Sequence, residues 1–442
     1  MTKQCIKDRF LAVFTVSALA FPFLWLASGA ELDAGYRLIA LLFGVALALR
    51  WIPIRQDPLV LLALIFPLFL VVAHLWQSHT ISEDIFGGSH ARQYWISFFF
   101  FIPIAYATTI WQRISPFVIL GSAAAGLVFF LVLHAPSSDW THAWAGQRVA
   151  YGFPNAQHSG VVFGAGLLAM IVFLPRSIGL PLRSRAVGLP LLLAFGALML
   201  WGVVTTQVRA VWLGLLVAAV VTAVLWAFQR AGQRSRLDRR SFSMLLITCV
   251  IVVLGALSFD APNRVIKRIA TEQISLETIS GAIRFEPGSY HSSATVRLAS
   301  WSASLEWIAE RPLLGWGGRT AKRLIRLDDR FDEWFKQHFG HLHNSYLEVL
   351  VAIGFVGASL LVALIYLVAR QVILARRTGR MPLDVFIFAW AFFAYWCVVN
   401  FFESYAYMRV GFLLNTVFGA FVLANCLRAG ATLLANREQI KA

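Results

Sequence analysis

The sequence predicts an all-α fold, a polytopic integral membrane protein of about 12 transmembrane helices with one large polar segment of amphipathic helices. Three observations predict it. Of the 442 residues, 59% are hydrophobic and only 14% are charged, too little polar material to cover a soluble protein of this length. The apolar residues gather in runs of roughly 17 to 25, each long enough to cross a hydrocarbon core of about 30 Å as a helix. The alternating segments of about ten residues that a transmembrane β-barrel would need do not appear.

The runs fall at about 10–29, 36–53, 58–76, 94–111, 116–134, 158–175, 187–206, 209–228, 243–259, 345–369, 383–401 and 408–427. The first follows Lys3, Lys7 and Arg9 and ends near small residues at Ala30, as a signal peptide does, but its length of about 20 residues suits a transmembrane helix better. The chain divides into 1–259 with helices one to nine, 260–343 as the large loop, and 344–442 with helices ten to twelve and a C-terminal tail. Cys5, Cys249, Cys397 and Cys426 lie at the N-terminus or inside apolar runs, so neither a structural disulfide nor a cysteine metal site is expected.

A formal net charge of +16 would suit nucleic acid as a partner, yet the basic residues alternate by connection, as orientation in a membrane requires. With the N-terminus inside, the cytoplasmic connections collect most of them, including Arg50, Arg55, Arg113, Arg176, Arg183, Arg185, Arg234, Arg236, Arg376, Arg377 and Arg380. The short outer connections hold only Arg37, Arg92, Arg148, Arg209 and Arg409. The partner implied is the membrane and not nucleic acid, with both termini cytoplasmic. Topology does not explain the outer arginines.

The large segment falls on the outer side, where long loops translocate regardless of charge. Leu298, Trp301, Leu305 and Ile308 recur at helical spacing until Pro312 and Gly315 stop the pattern. A second apolar face joins Leu324, Ile325, Leu327, Phe331, Trp334 and Phe335, with Lys322, Arg323, Arg326 and Arg330 on the other side. Such helices lie on a membrane or cover a cavity between spans. The cluster Asp328, Asp329, Asp332 and Glu333 can hold a divalent ion or form a solvated face paired with its interleaved basic residues, and the second is commoner. Gly315-Trp316-Gly317-Gly318 either cradles a phosphate or turns the chain between the two helices.

Chemistry concentrates where the loop re-enters the membrane, at His341-Leu342-His343-Asn344-Ser345-Tyr346-Leu347-Glu348. A histidine at a membrane surface can take a proton from a hydroxyl during group transfer, because its pKa lies near neutrality. Asn344 has the chemistry of a helix cap. His341 and His343 alone fall short of a zinc site, since no further ligand stands at ligand spacing. Three stretches on the same side accompany them: Gln147 to Asn155, Thr205 to Gly214 with Arg209 in a very tight turn, and Arg297 followed by Pro312-Leu313-Leu314-Gly315-Trp316-Gly317-Gly318. Arginines at membrane depth are costly and usually functional or paired. Arg148, Arg209 and Arg297 converging near the outer leaflet suit a lipid-linked pyrophosphate, whose oxygens a guanidinium binds bidentately.

The order of these stretches resembles the O-antigen ligase family. Its marks are Gly-Phe-Pro-Asn after Arg148, the Thr-rich Arg-Ala-Val-Trp-Leu-Gly turn, the Pro-Leu-Leu-Gly-Trp-Gly loop after Arg297, and His-x-His-Asn-x-Tyr-Leu entering a helix. The resemblance is densest from about residue 145 to 365, and Gln207-Val208 departs from it where a Ser-type residue is usual before the arginine. It implies a bacterial inner-membrane glycosyltransferase with its active site facing the periplasm. The donor would be an undecaprenyl-pyrophosphate-linked glycan and the acceptor a hydroxyl of the lipid A core oligosaccharide. His343 would be the base, with His341 second in line. Arg209 and Arg297, with Arg148, would hold the pyrophosphate, and Asn155, Asn344 and Tyr346 would contact substrate. No metal and no cofactor is expected. A retaining double displacement would need a carboxylate nucleophile, and none stands out in sequence, so a single inverting displacement follows.

An O-antigen polymerase or a protein O-oligosaccharyltransferase would share this chemistry and differ in acceptor. A lipid-linked oligosaccharide transporter would place charge through the middle of several spans, whereas here it collects at one face.

Overall fold

The computed structural model describes residues 3–29, 33–52, 57–86, 91–111, 113–179, 181–231, 276–286 and 292–441. Among them the chain forms α-helices and no strand: α1 (Lys3–Ala27), α2 (Asp33–Ala48), α3 (Pro58–Thr80), α4 (Ala91–Phe99), α5 (Phe101–Ile110), α6 (Phe117–His134), α7 (Ser137–Trp144), α8 (Ala156–Ile178), α9 (Leu182–Thr206), α10 (Arg209–Ala231), α11 (Leu276–Ile283), α12 (Ser293–Glu310), α13 (Ala321–Leu327), α14 (Glu333–His338), α15 (Ser345–Arg377), α16 (Leu383–Phe402), a 3-10 turn at Tyr405–Tyr407, and α17 (Arg409–Lys441). Nine of the described helices are long and apolar enough to cross a membrane, and α4 with α5, bent by 49° at their break, make a tenth if taken as one span. The expected span at 36–53 is the shorter apolar helix α2, and the one at 243–259 lies outside the described residues.

The described chain groups into two compact units. One holds Met1–Ala123, Glu272–Ala375 and Asn400–Ala442; the other holds Ala124–Thr271 and Arg376–Val399. In the first, α17 packs on α4 and α5, and α1 on α2 and α5. Phe21, Trp25, Tyr36 and Phe100 close this contact edge to face, for example with Tyr36 and Phe100 centroids 4.7 Å apart. Pro22 interrupts the hydrogen-bond ladder of α1. Ser122 repairs it, donating to the Leu19 carbonyl at 2.7 Å and accepting from the Phe23 amide at 3.2 Å. In a membrane such groups find no water, so a side chain of a neighbouring helix must serve them.

The polar insertion of this unit has its own core. Val296, Ala299, Ala303, Trp307, Trp316, Leu324, Ile325, Phe331, Phe335 and Leu342 are buried against Ile81 and Val351. The buried face of α12 is rotated from the expected one: Leu305 is exposed, while Ala299, Ser300, Ala303 and Ser304 face inward. Small residues admit close approach but carry little hydrophobic signal. The expected second amphipathic helix is two, α13 and α14, with Leu324, Ile325, Phe331 and Phe335 inside and Leu327 and Trp334 outside. Two members of the acidic cluster, Asp328 and Asp332, have structural partners. Asp328 takes a two-pronged contact from Arg330, whose guanidinium also lies over the Phe285 ring, and Asp332 caps α14 through the Phe335 amide at 2.8 Å.

The glycine-rich stretch plugs a break in α15, where Gly354 has φ 61 and ψ −171. The Trp316 and Gly317 amides donate to Val351 and Ala352 carbonyls at 2.7 and 2.9 Å, and Phe355 and Val356 donate to Pro312 and Leu313. Those two amides are therefore occupied by protein rather than held for a phosphate. A Cβ at Gly354 would overlap the Leu313 carbonyl. Gly354→Ala is expected to cost about 3 kcal/mol through strain and overlap and to lower the thermal unfolding midpoint in detergent by several degrees.

In the second unit α8 and α9 lie close, since Gly202 leaves room for the Phe163 ring, and Tyr395 donates to the Val161 carbonyl at 2.9 Å. Arg176 grips Asp384 with two hydrogen bonds of 2.6 and 2.7 Å.

Candidate active site

The loop entering α15 is pinned in its middle. Leu342 is fully buried, its amide donates to Glu348 Oε2 at 2.9 Å, and its carbonyl accepts from the Trp301 indole at 2.9 Å. The residues on either side therefore turn away from the insertion core, and the His341 and His343 rings meet with centroids 4.0 Å apart. His343 sits in the left-handed region with φ 50, a conformation costly for a residue with a side chain and held here by its surroundings. The next residue fixes it. Asn344 caps α15, its side-chain oxygen accepting from the Tyr346 and Leu347 amides at 2.9 and 3.1 Å, while its own amide donates to Ser404 Oγ at 3.2 Å.

The turn after α16 supplies what the histidines face. Ser345 Oγ lies within hydrogen-bond reach of Asn400 Oδ1 at 2.6 Å and of the Glu403 carbonyl at 2.9 Å, and accepts from the Ala406 amide. That lacing brings Glu403 under both rings. His341 Nε2 is 3.0 Å from Glu403 Oε1, and His343 Nδ1 is 3.2 Å from each carboxylate oxygen. The Ser404 amide adds a third donor at 3.0 Å. Glu403 is only 4% exposed, against 27% for His341 and 15% for His343.

Burial opposes ionisation of Glu403, but the hydrogen bonds from His341 and His343 outweigh it and hold the carboxyl well below the usual carboxylate range. Burial also disfavours a charged His341. The hydrogen bond and charge of Glu403, with Glu348 beyond, reverse this and raise its pKa. For His343 burial wins: Glu403 pulls upward, yet the positive charges of His341 and Arg297 oppose it, and the pKa falls below the ordinary value. Glu403 thus favours the protonated form of His341, while burial favours the neutral form of His343. An ionised carboxylate only accepts, so His343 Nδ1 carries the hydrogen and Nε2 keeps its lone pair. A neutral imidazole oriented by a carboxylate is a general base.

Arg297 belongs to the same cluster. Its Nε donates to the Phe402 carbonyl at 3.3 Å and Nη1 to the Ser293 carbonyl at 2.9 Å. Tyr346 is exposed on the first turn of α15.

Glu403 is the residue that sequence reasoning missed. It corrects two expectations, since a carboxylate does stand in the histidine constellation and does give the histidine pair a third ligand type. The available signal was an acid at the membrane end of an apolar run, on the side to which the histidines were assigned.

Arg148, Asn155 and Arg209 lie in the second unit, where the structure joins their two motifs. Arg148 Nε donates to the Thr206 carbonyl at 3.2 Å, and Gln207 Nε2 to the Gly146 carbonyl at 3.0 Å. Tyr151 Oη meets Thr205 Oγ1 at 2.8 Å. Gln207, with φ 52 and ψ 41, ends α9 as a left-handed cap, so the departure from the usual Ser-type residue is accommodated by a cap whose side chain ties back to the first motif. Arg209 then opens α10. Asn155 caps α8 through the Gln157 and His158 amides at 2.9 and 3.0 Å.

No curated protein matches the chain. Residues 194–362 match the family model described as O-antigen ligase, a stretch that includes Arg209, Arg297, His341 and His343 but neither Arg148 nor Glu403. The chain is thus a polytopic membrane protein that is similar, over residues 194–362, to the O-antigen ligase family.

Proposed function

We propose that the protein is an O-antigen ligase of the bacterial inner membrane, transferring a glycan from undecaprenyl pyrophosphate to a hydroxyl of the lipid A core oligosaccharide at the periplasmic face. The observation that carries this is the position of His343, whose Nδ1 lies 3.2 Å from the buried Glu403 carboxylate and which stands in the segment matching that family. His343 Nε2 takes the proton of the acceptor hydroxyl as its oxygen bonds to the anomeric carbon. The bond from that carbon to pyrophosphate breaks, and undecaprenyl pyrophosphate leaves with the electron pair. Pyrophosphate needs no acid to leave, so one step with inversion suffices. Glu403 is a poor nucleophile here, because it is buried and both its oxygens hold imidazoles. The resemblance to that family assigns Arg148, Arg209 and Arg297 to the pyrophosphate, whose growing charge guanidinium groups would stabilise.

The test is reconstitution of the purified protein with a labelled undecaprenyl-pyrophosphate glycan and a truncated lipopolysaccharide acceptor in the presence of EDTA. Label is expected to reach the lipopolysaccharide with undiminished rate. Label found in longer lipid-linked chains, or on protein, would replace this reading with a polymerase or a protein glycosyltransferase. In the same assay Arg209→Lys is expected to lose at least about tenfold in turnover, since a point charge does not reproduce the bidentate fork.

A further inference from the structure

We propose that His341, His343 and Glu403 form a binding site for a transition-metal ion of the Zn2+ class, and that the bound ion switches the transfer reaction off. The inhibition rests on the function proposed above; the binding does not.

Two imidazole nitrogens and one carboxylate oxygen converge here, all within 4.8 Å of one another. Zinc bonds of about 2.0 to 2.2 Å in tetrahedral geometry set ligand atoms about 3.3 Å apart. Two sides of the triangle are close to that length, at 3.0 Å for His341 Nε2 and 3.2 Å for His343 Nδ1 from the shared carboxylate. Imidazole and carboxylate donors suit zinc and its neighbours better than Mg2+ or Ca2+, which prefer all-oxygen sets. Three protein ligands leave the fourth position open, and the partial exposure of both histidines gives an ion a way in. The cluster is also anchored: Leu342 is locked by Glu348 and Trp301, Asn344 caps its helix, and the Ser404 amide holds Glu403. Both N···O separations already stand near ligand spacing.

The consequence for His343 is chemical. A neutral imidazole has one lone pair, and ligation through Nδ1 spends it, leaving Nε2 as N–H. The hydrogens that His341 and His343 now direct at Glu403 are replaced by the ion, and no lone pair remains to accept a proton from a sugar hydroxyl.

The experiment uses the full chain without a histidine tag, in detergent, stripped with EDTA. Equilibrium dialysis against Zn2+ and the visible spectrum with Co2+ read binding, and glycan transfer is measured in parallel. Expected are one ion per chain, a tetrahedral Co2+ band, and inhibition reversed by EDTA. His341→Gln and Glu403→Gln are each expected to weaken binding at least about tenfold, with size-exclusion profile and unfolding midpoint confirming the fold. His341→Gln, the more exposed change, keeps the test valid if the Glu403 variant does not fold. Absence of a stoichiometric ion, or affinity unchanged in His341→Gln, would overturn the site. Bound Zn2+ with undiminished transfer would overturn the switch. Metal binding in a chain with no transfer activity in any assay would instead count against the proposed function alone.

Discussion

His343→Ala is expected to lower the rate of glycan transfer at least about a hundredfold, with the donor's KM changed only a few-fold. A positioned general base contributes about 10²- to 10⁴-fold, and no other group in the cluster is arranged to replace it. His341 is beside it, but its Nε2 is committed to Glu403 at 3.0 Å, and the hydrogen bond and charge of that carboxylate favour its protonated form, which has no lone pair. Folding should survive, because His343 is partly exposed and loses one hydrogen bond, about 1 to 3 kcal/mol in a large helical protein. The wild-type pH profile carries a matching sign. Transfer needs neutral His343, whose pKa lies below 6.5, so the rate falls as pH drops through a midpoint below that value. An alanine variant at near-normal rate, or an acid limb well above pH 6.5, would remove His343 from the role of base.

How much of this was legible depends on the distance over which each feature is encoded. Eleven of the expected spans needed only local apolar length and lie on described helices, the one at 94–111 on two, α4 and α5, joined at a bend, and the one at 36–53 on the shorter α2. Asn344 announces itself as a cap, because an N-cap contacts only amides two and three residues on, whereas Asn155, expected to contact substrate, was not read as the cap of α8 that it is. The break at Gly354 was hidden, since the residues around it are as apolar as any continuous span and its cause lies in the Pro312–Gly317 loop. The inward face of α12 was misjudged because alanine and serine, not leucine, fill it. Glu403 was invisible for the same kind of reason. It stands 60 residues after His343, and only the lacing of Ser345 to the turn after α16 brings the two together.

Glu403→Gln is expected to cost at least about a hundredfold in turnover while leaving a folded protein, and its effect separates positioning from mere packing. The glutamine is nearly the same shape, but one of its two ends now donates. Whichever imidazole meets the amide NH2 must present a lone pair to it. If that nitrogen is His343 Nδ1, the hydrogen moves to Nε2 and the base is lost by tautomer alone, as happens when a catalytic histidine's carboxylate partner becomes an amide. The pH profile shifts in a defined direction. Glu403 raises the pKa of His343 both by its hydrogen bond and by its charge, so removing the charge lowers that pKa. His341 also loses its partner and becomes easier to deprotonate, which relieves a smaller opposing effect on His343. The residual activity of the variant should therefore show an acid limb displaced to lower pH, on top of a lowered plateau. Glu403→Asp, which keeps the charge on a shorter arm, should recover part of the plateau and most of the limb. A purely structural role would lower stability and active fraction in both variants without moving the midpoint of either profile.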